Sequence, residues 1–434
     1  MKFPGMILMG AQSRLLPPSV PFRFFAAAVA FQGVAWGLVA LDAGQVPHFL
    51  GGPGFILAGI HALTLGVLAM TAIGASFQIL PVVTGQSLAA LWPCRLTFWL
   101  YAPGTALLVF GFIDADPALL AIGGTLAAAG LGVFAVLMAD VLRRTRGMRT
   151  LVLHGWAALV ALAILTGLGL TLAFNLEGGF LADPVGLSIV HIVVAIYGFM
   201  GMLAFGYSQF MVPMFALGPS PDDRQVTVTF ALAAGAIGLA VVAALAGAPL
   251  GLAVASAVGL AAVVLHVRAM GAVLAQGMRK RLGLSFVLVR ASWGLLAASV
   301  ILGGAVAVDG VSGRVVPLFG FVALFGWLLT FLMGILQRIV PFLAAMNAAK
   351  AGQTPPALSD VSVERPLKIH AAGHFGALAF IAAGIVTDAG ALVLAGALAG
   401  LIGAAAFLWF VADTLRRMRG YAGKAAATVK ERDG

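Results

Sequence analysis

The chain is long and unusually apolar. It has 434 residues, of which 62% are hydrophobic and 9% are charged, whereas soluble domains are about 45–50% apolar and about 25% charged. This composition excludes a soluble or disordered chain, and its single cysteine excludes a disulfide scaffold. The formal net charge of +10 indicates either an anionic partner or a membrane topology, and the positions of the charges decide between the two.

Apolar runs of about 20 residues predict twelve membrane-spanning helices. In chain order we expect them at 22–42, 55–80, 96–113, 118–139, 151–174, 185–212, 226–246, 249–275, 284–307, 315–342, 368–387 and 390–412. No stretch between them is long and polar enough to form a separate soluble domain. The predicted fold class is therefore all-α integral membrane, with residues 1–434 in one polytopic domain whose main partner is the lipid bilayer.

The positions of the charges predict the orientation. Of the 25 Lys and Arg, all except Arg314 fall on the side of the two termini or on adjoining helix ends. The opposite loops carry acids: Asp42, Asp114, Asp116, Glu177, Asp183, Asp309 and Asp388. Since basic loops stay in the cytoplasm, we expect cytoplasmic termini in a bacterial-type inner membrane, a basic tail at 415–434 against anionic lipid, and no nucleic-acid partner. Met6–Met9 is too short for a signal-peptide core, so we expect the first helix to be retained.

Internal similarity divides the chain into three parts. A glutamine followed by a proline closes the second, sixth and tenth predicted helices: Gln78–Pro81, Gln209–Pro213 and Gln337–Pro341. The steps between the glutamines are 131 and 128 residues. A second repeated motif supports this division: Asp140 and Asp413 each precede an arginine pair, after the fourth and the twelfth helix respectively. We predict three units of four helices, at about 20–148, 149–281 and 282–420, and we expect each proline to end its helix.

Three arcs of four helices are the architecture of the catalytic subunit (subunit I) of the haem-copper oxidase superfamily, which includes the nitric oxide reductases. The segment from His61-Ala-Leu-Thr-Leu-Gly to Gly74-Ala-Ser-Phe-Gln-Ile-Leu-Pro81 resembles the reductase helix in which a low-spin haem histidine precedes Gly-Ala-x-Tyr-Tyr-Leu-Leu-Pro. The chain is also similar to the NnrS family. The resemblance implies pseudo-threefold arcs, haem b and copper as cofactors, and a role in respiration or the response to nitric oxide. It places His191 where the family has a copper ligand.

Most of the family's other ligands are missing. Phe319-Gly-Phe321 stands where the family's tenth helix has a His-x-His pair, and the predicted span 226–246 contains no histidine. Ala195 stands at the spacing of a family Tyr or Glu, with Tyr197 two residues later. A bimetallic centre needs a haem iron and a copper held by several of those side chains. We therefore expect no reduction of oxygen or nitric oxide and assign no catalytic residue.

Histidines at membrane depth are the main candidate site residues, because ionisable groups there are costly. His61 and His191 lie in the outer third of their helices. His61 is a candidate haem ligand and His191 a candidate haem or metal ligand, and the two need not share one metal; the alternative is a hydrogen bond across helices. His370 and His374 share one helical face and can hold a metal if a third ligand converges.

Two further histidines, His154 and His266, lie in the inner half. Together with His370 and His374 they could form one polar cluster for copper, a second haem or a quinone head group. The favoured alternative is four separate histidines near basic helix ends. His48 is predicted to lie in a loop.

Other side chains have simpler interpretations. Cys94 is predicted to be a free thiol at the cytoplasmic surface, and Asp140 and Asp413 to be helix-end ion pairs, with a proton channel as the alternative. Five methionines provide either thioether donors for Cu(I) or packing: Met70, Met200, Met202, Met211 and Met214.

Two hypotheses of function follow. The first is a redox or gas-responsive protein that binds haem b through His61, with or without copper, in respiration or nitric oxide stress. The second is a non-redox carrier of copper or haem, or an assembly factor whose partners are respiratory-chain components. The retained segment His61–Pro81 supports the first hypothesis, and the methionines and the incomplete reaction centre support the second as its alternative.

Overall fold

The computed structural model describes residues 15–308, 313–348, 356–357 and 360–433, with side chains up to residue 421. This part of the chain contains no β-strand. Twelve of its helices are long and apolar enough to cross a membrane, which confirms the predicted fold class: α1 Pro21–Leu41, α2 Phe55–Thr84, α3 Trp92–Asp114, α4 Pro117–Arg144, α5 Arg149–Gly178, α6 Pro184–Ala216, α7 Asp223–Leu245, α8 Pro249–Gln276, α9 Leu284–Ala307, α10 Val315–Ala348, α11 Glu364–Thr387 and α12 Gly390–Asp433. Met6–Met9, Asp309 and the tail side chains beyond residue 421 lie outside the described part.

Twelve crossings place the start of α1 and the end of α12 on one side, which we call the inner side. Several helices extend further at that side than the apolar runs predict, and α12 continues to Asp433. Lipid sets only the apolar length, whereas backbone hydrogen bonding continues through the polar helix formers that follow.

The three prolines correct one expectation. Pro81, Pro213 and Pro341 lie inside their helices, and do not end them. Helix α2 continues to Thr84, for example. A proline near a helix end removes a single backbone hydrogen bond, which the remaining turns tolerate.

Helices α2 and α10 form the centre of the bundle. In their most apolar windows 72% and 67% of residues are buried, against 22% in α5 and α8. Both α2 and α6 pack against α10 through their middle segments. The hydroxyls of Ser76 and Tyr207, 2.5 Å apart, join α2 to α6.

Each of α2, α6 and α10 contains an eight-residue π-helical stretch. The stretches are Ala62–Ala69, Val194–Gly201 and Val322–Leu329. Each stretch begins nineteen residues before the proline of its helix. π-helical turns are rare in proteins, and those that occur often lie at functional sites. Their recurrence in α2, α6 and α10 therefore makes these helices the first place to search for a site.

A glycine seven residues before each proline allows close helix packing. A Cβ built on Gly74 would lie 2.7 Å from the Phe24 Cβ on α1, and one on Gly206 would lie 2.8 Å from the His154 Cβ on α5. Gly334 meets α9 in the same way. The glycine steps are 132 and 128 residues, so Gln78 lies one position away from the equivalent of Gln209. One position turns a side chain by about 100° around the helix.

The hairpins α3–α4 and α11–α12 also share local geometry. Asp413 follows Asp140 by 273 residues, and the same step relates Asp388 to Ala115. Ala115 and Asp388 both end their helices in the left-handed conformation, with φ of 53° and 60°. The two hairpins can therefore be compared residue by residue with this step.

That comparison relates His374 on α11 to Tyr101 on α3. A Cβ on Gly130 of α4 would lie 2.8 Å from the Tyr101 Cβ, and one on Gly403 of α12 would lie 3.4 Å from the backbone nitrogen of His374. Each glycine thus lets two helices meet at the position of the larger polar residue.

Candidate functional site

The seven histidines all lie in the described residues, and six of them form three pairs inside the spans. The members of each pair lie within electrostatic range of each other: His61 with His191, His154 with His266, and His370 with His374. The seventh, His48, lies in a short 3-10 helix on the outer side and bonds Asp388 at 2.9 Å, which confirms its predicted loop position.

His61 lies near the outer end of α2, directly before the π-helical stretch. Its Nδ1 is 3.0 Å from the carbonyl oxygen of Leu57, and its ring stacks on Phe112 of α3 with centroids 4.4 Å apart. A carbonyl oxygen only accepts, so Nδ1 carries the proton and Nε2 keeps its lone pair. Metal-binding histidines are commonly oriented in this way.

His191 lies at a similar depth on α6, three residues before the π-helical stretch. Its Nδ1 is buried and has no hydrogen-bond partner in the described part of the chain; the Leu165 carbonyl is nearby but outside hydrogen-bond geometry. A buried nitrogen left unpaired costs about 1–3 kcal/mol. The pair His61–His191 therefore offers one oriented lone pair and one nitrogen that lacks a partner.

His370 and His374 are fully buried on one face of α11, with ring centroids 5.8 Å apart. The Nδ1 of His370 is 3.1 Å from the carbonyl of Gly403, and its Nε2 has no partner among the described residues. The Nε2 of His374 lies 2.7 Å from Oγ1 of Thr330 on α10. The shared face is as predicted, and the structure adds a hydrogen bond to α10.

That hydrogen bond supports a π-helical stretch. Thr330 donates its hydroxyl proton to the carbonyl of Phe325 at 3.3 Å, within the stretch of α10, and therefore accepts from Nε2 of His374. Tyr101, which corresponds to His374, donates to the carbonyl of Leu65 at 3.0 Å, within the stretch of α2. Both side chains thus satisfy, directly or through Thr330, a carbonyl of the central helix beside them.

His154 lies on α5, where its Nδ1 is 2.8 Å from the carbonyl of Thr150. Its Nε2 is 3.4 Å from Nε2 of Gln209, whose Oε1 has no partner in the described part. His266 on α8 stacks on Phe205 of α6, with centroids 3.9 Å apart. The contacts of the described residues join this pair to α6 and α7, not to α11, so the inner histidines form two pairs and not one cluster.

The aspartates and Cys94 have well-defined surroundings. Asp140 bonds Arg144 at 2.6 Å and Asp413 bonds Arg417 at 2.6 Å, which confirms the predicted ion pairs. Cys94 is a free thiol, but it is fully buried in the first turn of α3. The thiol is not on the surface as predicted, because it lies on the buried face of this turn, whereas Trp92, Arg95 and Leu96 beside it are exposed.

All five predicted methionines pack in or against the apolar core. One of them, Met202, also lines a cavity of about 20 Å³ together with His154 and Met138. Met138 on α4 was missed by the sequence reasoning, because a methionine in an apolar helix carries no signal beyond packing. No group of three or more His, Cys, Asp or Glu able to hold a metal occurs in the described residues.

No protein-family model matches the chain, and a search of curated proteins finds no match. The resemblance to the haem-copper oxidases and to the NnrS family therefore rests on residues in α2, α6 and α10 and on the number of helices. The binding of haem and copper stays a prediction, and the support for it comes from the donor atoms of the histidine side chains.

Proposed function

We propose that the protein is a membrane-embedded haem protein that binds haem b through His61, with His191 beside it. The observation that carries this proposal is the pair of ring nitrogens that these side chains offer near the outer ends of α2 and α6. The oriented Nε2 of His61 and the unpartnered Nδ1 of His191 fit an axial haem ligand and a second nitrogen near it.

The surrounding residues hold the ligand in place. The Leu57 carbonyl fixes the tautomer of His61, and the Phe112 ring restricts its rotation. Gly169 leaves room for His191, since a Cβ there would lie 3.2 Å from its ring. When bound, the haem would supply one-electron transfer or the binding of a diatomic gas.

The proposed role is in respiration or the response to nitric oxide, without reduction of oxygen or nitric oxide. Support comes from the residues that replace the metal ligands of the resembling family. Phe321 is buried and stacks on Phe325, and α7 contains no histidine. Aromatic packing occupies a position where a second metal would need nitrogen donors.

The proposed location is a bacterial-type inner membrane with the inner side facing the cytoplasm. Support comes from the arginine pairs at the inner ends of α4 and α12 and from the basic bias of inner loops. The haem would then lie toward the outer leaflet, where respiratory-chain components could exchange electrons with it.

A second candidate function is a carrier of copper or haem, or an assembly factor, that performs no redox chemistry. The observation that favours it is the pair of thioether side chains beside His154 in the inner cavity. Metal analysis separates the two: iron with protohaem supports the first function, and copper alone supports the second.

The test is the absorbance of the detergent-purified protein, before and after dithionite, with iron and protohaem analysis. We expect a Soret band that is lost or shifted in His61→Ala and His191→Ala. The control is His48→Ala, which changes an exposed histidine outside the spans. A wild-type protein purified from haem-supplemented cells that shows no Soret band, or a band unchanged in both variants, would contradict the proposal.

A further inference from the structure

The cavity beside His154 lies among α2, α4, α5 and α6, toward the inner side. It measures about 20 Å³, which is room for one water molecule or one metal ion. Two thioethers, one imidazole and two hydroxyls are the heteroatom-bearing side chains in its lining: Met138, Met202, His154, Ser76 and Tyr207. The rest of the lining is apolar.

His154 lines this cavity, and one of its ring nitrogens keeps a lone pair. Its Nδ1 donates to the Thr150 carbonyl at 2.8 Å, so Nε2 is the unprotonated nitrogen. Its hydrogen-bond contact among the described residues is to Nε2 of Gln209, at 3.4 Å, which is long for a hydrogen bond. A metal ion bound to His154 would replace only this weak contact with Gln209. The Gln209 side chain is poorly bonded in any case, because its Oε1 has no partner among the described residues.

The two methionines are held on different helices. Met138 on α4 is 2% exposed and Met202 on α6 is 3% exposed. Thioether and imidazole donors together select Cu(I) over harder ions. No carboxylate or thiol lines the cavity, and a divalent ion without an anionic ligand would bury two uncompensated charges. A monovalent soft ion suits this donor set best.

A single water molecule is the competing occupant. A buried water usually makes about three hydrogen bonds, but the hydroxyls of Ser76 and Tyr207 already bond each other at 2.5 Å. The methionines and the apolar lining offer it little else. The donor atoms of this cavity therefore match a soft cation better than they match water.

We propose that His154, Met138 and Met202 form a Cu(I) site in the inner half of the bundle. The site is separate from the His61–His191 pair, and it does not depend on a haem being bound there. It uses a donor set of one imidazole and two thioethers contributed by α5, α4 and α6.

The test measures Cu(I) binding to the purified full chain under anaerobic conditions with ascorbate. Bathocuproine disulfonate serves as the competing chelator, and X-ray absorption at the copper edge reports nitrogen and sulfur neighbours. Met138→Leu and Met202→Leu keep the side-chain volume nearly constant, so the fold should persist. The control is Met211→Leu, on the same helix as Met202 and 3% exposed, but outside the cavity lining.

We expect one Cu(I) per chain with sulfur neighbours in the wild-type protein and in Met211→Leu. Met138→Leu and Met202→Leu should bind at least about tenfold more weakly and lose a sulfur neighbour. A wild-type chain that holds no Cu(I) against the chelator, or cavity variants that bind like Met211→Leu, would overturn the site.

Size-exclusion profiles of the variants show whether they fold. The absorbance of the haem is measured on the same samples, so that the two proposals fail separately. Copper binding without a Soret band overturns only the haem, and a Soret band without copper overturns only this site.

Discussion

The Nε2 of His374 on α11 lies 2.7 Å from Oγ1 of Thr330 on α10. Both residues are buried, and Thr330 in turn reaches the carbonyl of Phe325 inside the π-helical stretch. The corresponding contact of the α3–α4 hairpin runs from Tyr101 directly to Leu65 on α2. Two hairpins related by one sequence step thus stabilise two central helices with different side chains.

Tyr101→Phe tests this support in its simplest form. The Leu65 carbonyl accepts from the Tyr101 hydroxyl and from the backbone N–H of Met70. Removing the hydroxyl takes away one of these two donors, and we expect a loss of about 1 kcal/mol. Thermal unfolding in detergent measures it. Tyr421→Phe is the control, because Tyr421 is exposed and should behave like wild type. Equal stability of the two variants would show that the contact to α2 contributes nothing.

Thr330→Val tests the contact in which His374 reaches α10 through the Thr330 hydroxyl. Valine keeps the shape and removes the oxygen that His374 contacts, so we expect a loss of about 1–3 kcal/mol because the imidazole becomes unpaired. Bound metal, measured on the same sample, should not change. A variant that kept its stability but changed its metal content would instead assign His374 to a metal site.

Gly206→Ala should separate α5 from α6. Its new Cβ would lie 2.8 Å from that of His154, and we expect a loss of about 1–3 kcal/mol from overpacking. Gly132→Ala is the matched control, since nothing lies within 4 Å of a Cβ there. Alanine at that site should stabilise α4 by up to about 1 kcal/mol. The same sign for both variants would contradict the packing role of Gly206.

The two aspartates should differ in spite of their matching positions. The side chain of Asp413 is 8% exposed and that of Asp140 is 38% exposed. Asp413→Asn leaves Arg417 beside a buried neutral amide and should cost more than Asp140→Asn, whose surface ion pair contributes about 0–1 kcal/mol. Paired thermal unfolding curves of the two variants give the comparison, and a larger loss for Asp140→Asn would contradict it.

The fold class could be predicted because few backbone structures can span a membrane. A chain in lipid must satisfy its backbone hydrogen bonds internally, so apolar length alone reveals the helices. Helix ends and prolines were harder, because hydrogen bonding continues beyond the apolar run. The glutamine alignment was one residue off in α2, since close packing at Gly74 and Gly206, and not the amide, sets the common position.

The candidate site could be predicted only residue by residue. His61 and His191 follow from the cost of an ionisable group in lipid, but their proximity depends on how α2 and α6 pack. Met138 carries no sequence signal, because its relation to His154 exists only once α4 and α5 meet around the cavity. Pairing is a property of the tertiary structure, and a single sequence does not encode it in any local pattern.

The most direct test of the central claim is the dithionite-reduced minus oxidised absorbance spectrum of the purified chain and of His61→Ala. The account predicts the Soret and α-band changes of a b-type haem in the wild-type protein and their loss or shift in the variant. A wild-type spectrum without these bands, or a variant spectrum identical to a haem-containing wild type, would contradict haem binding through His61.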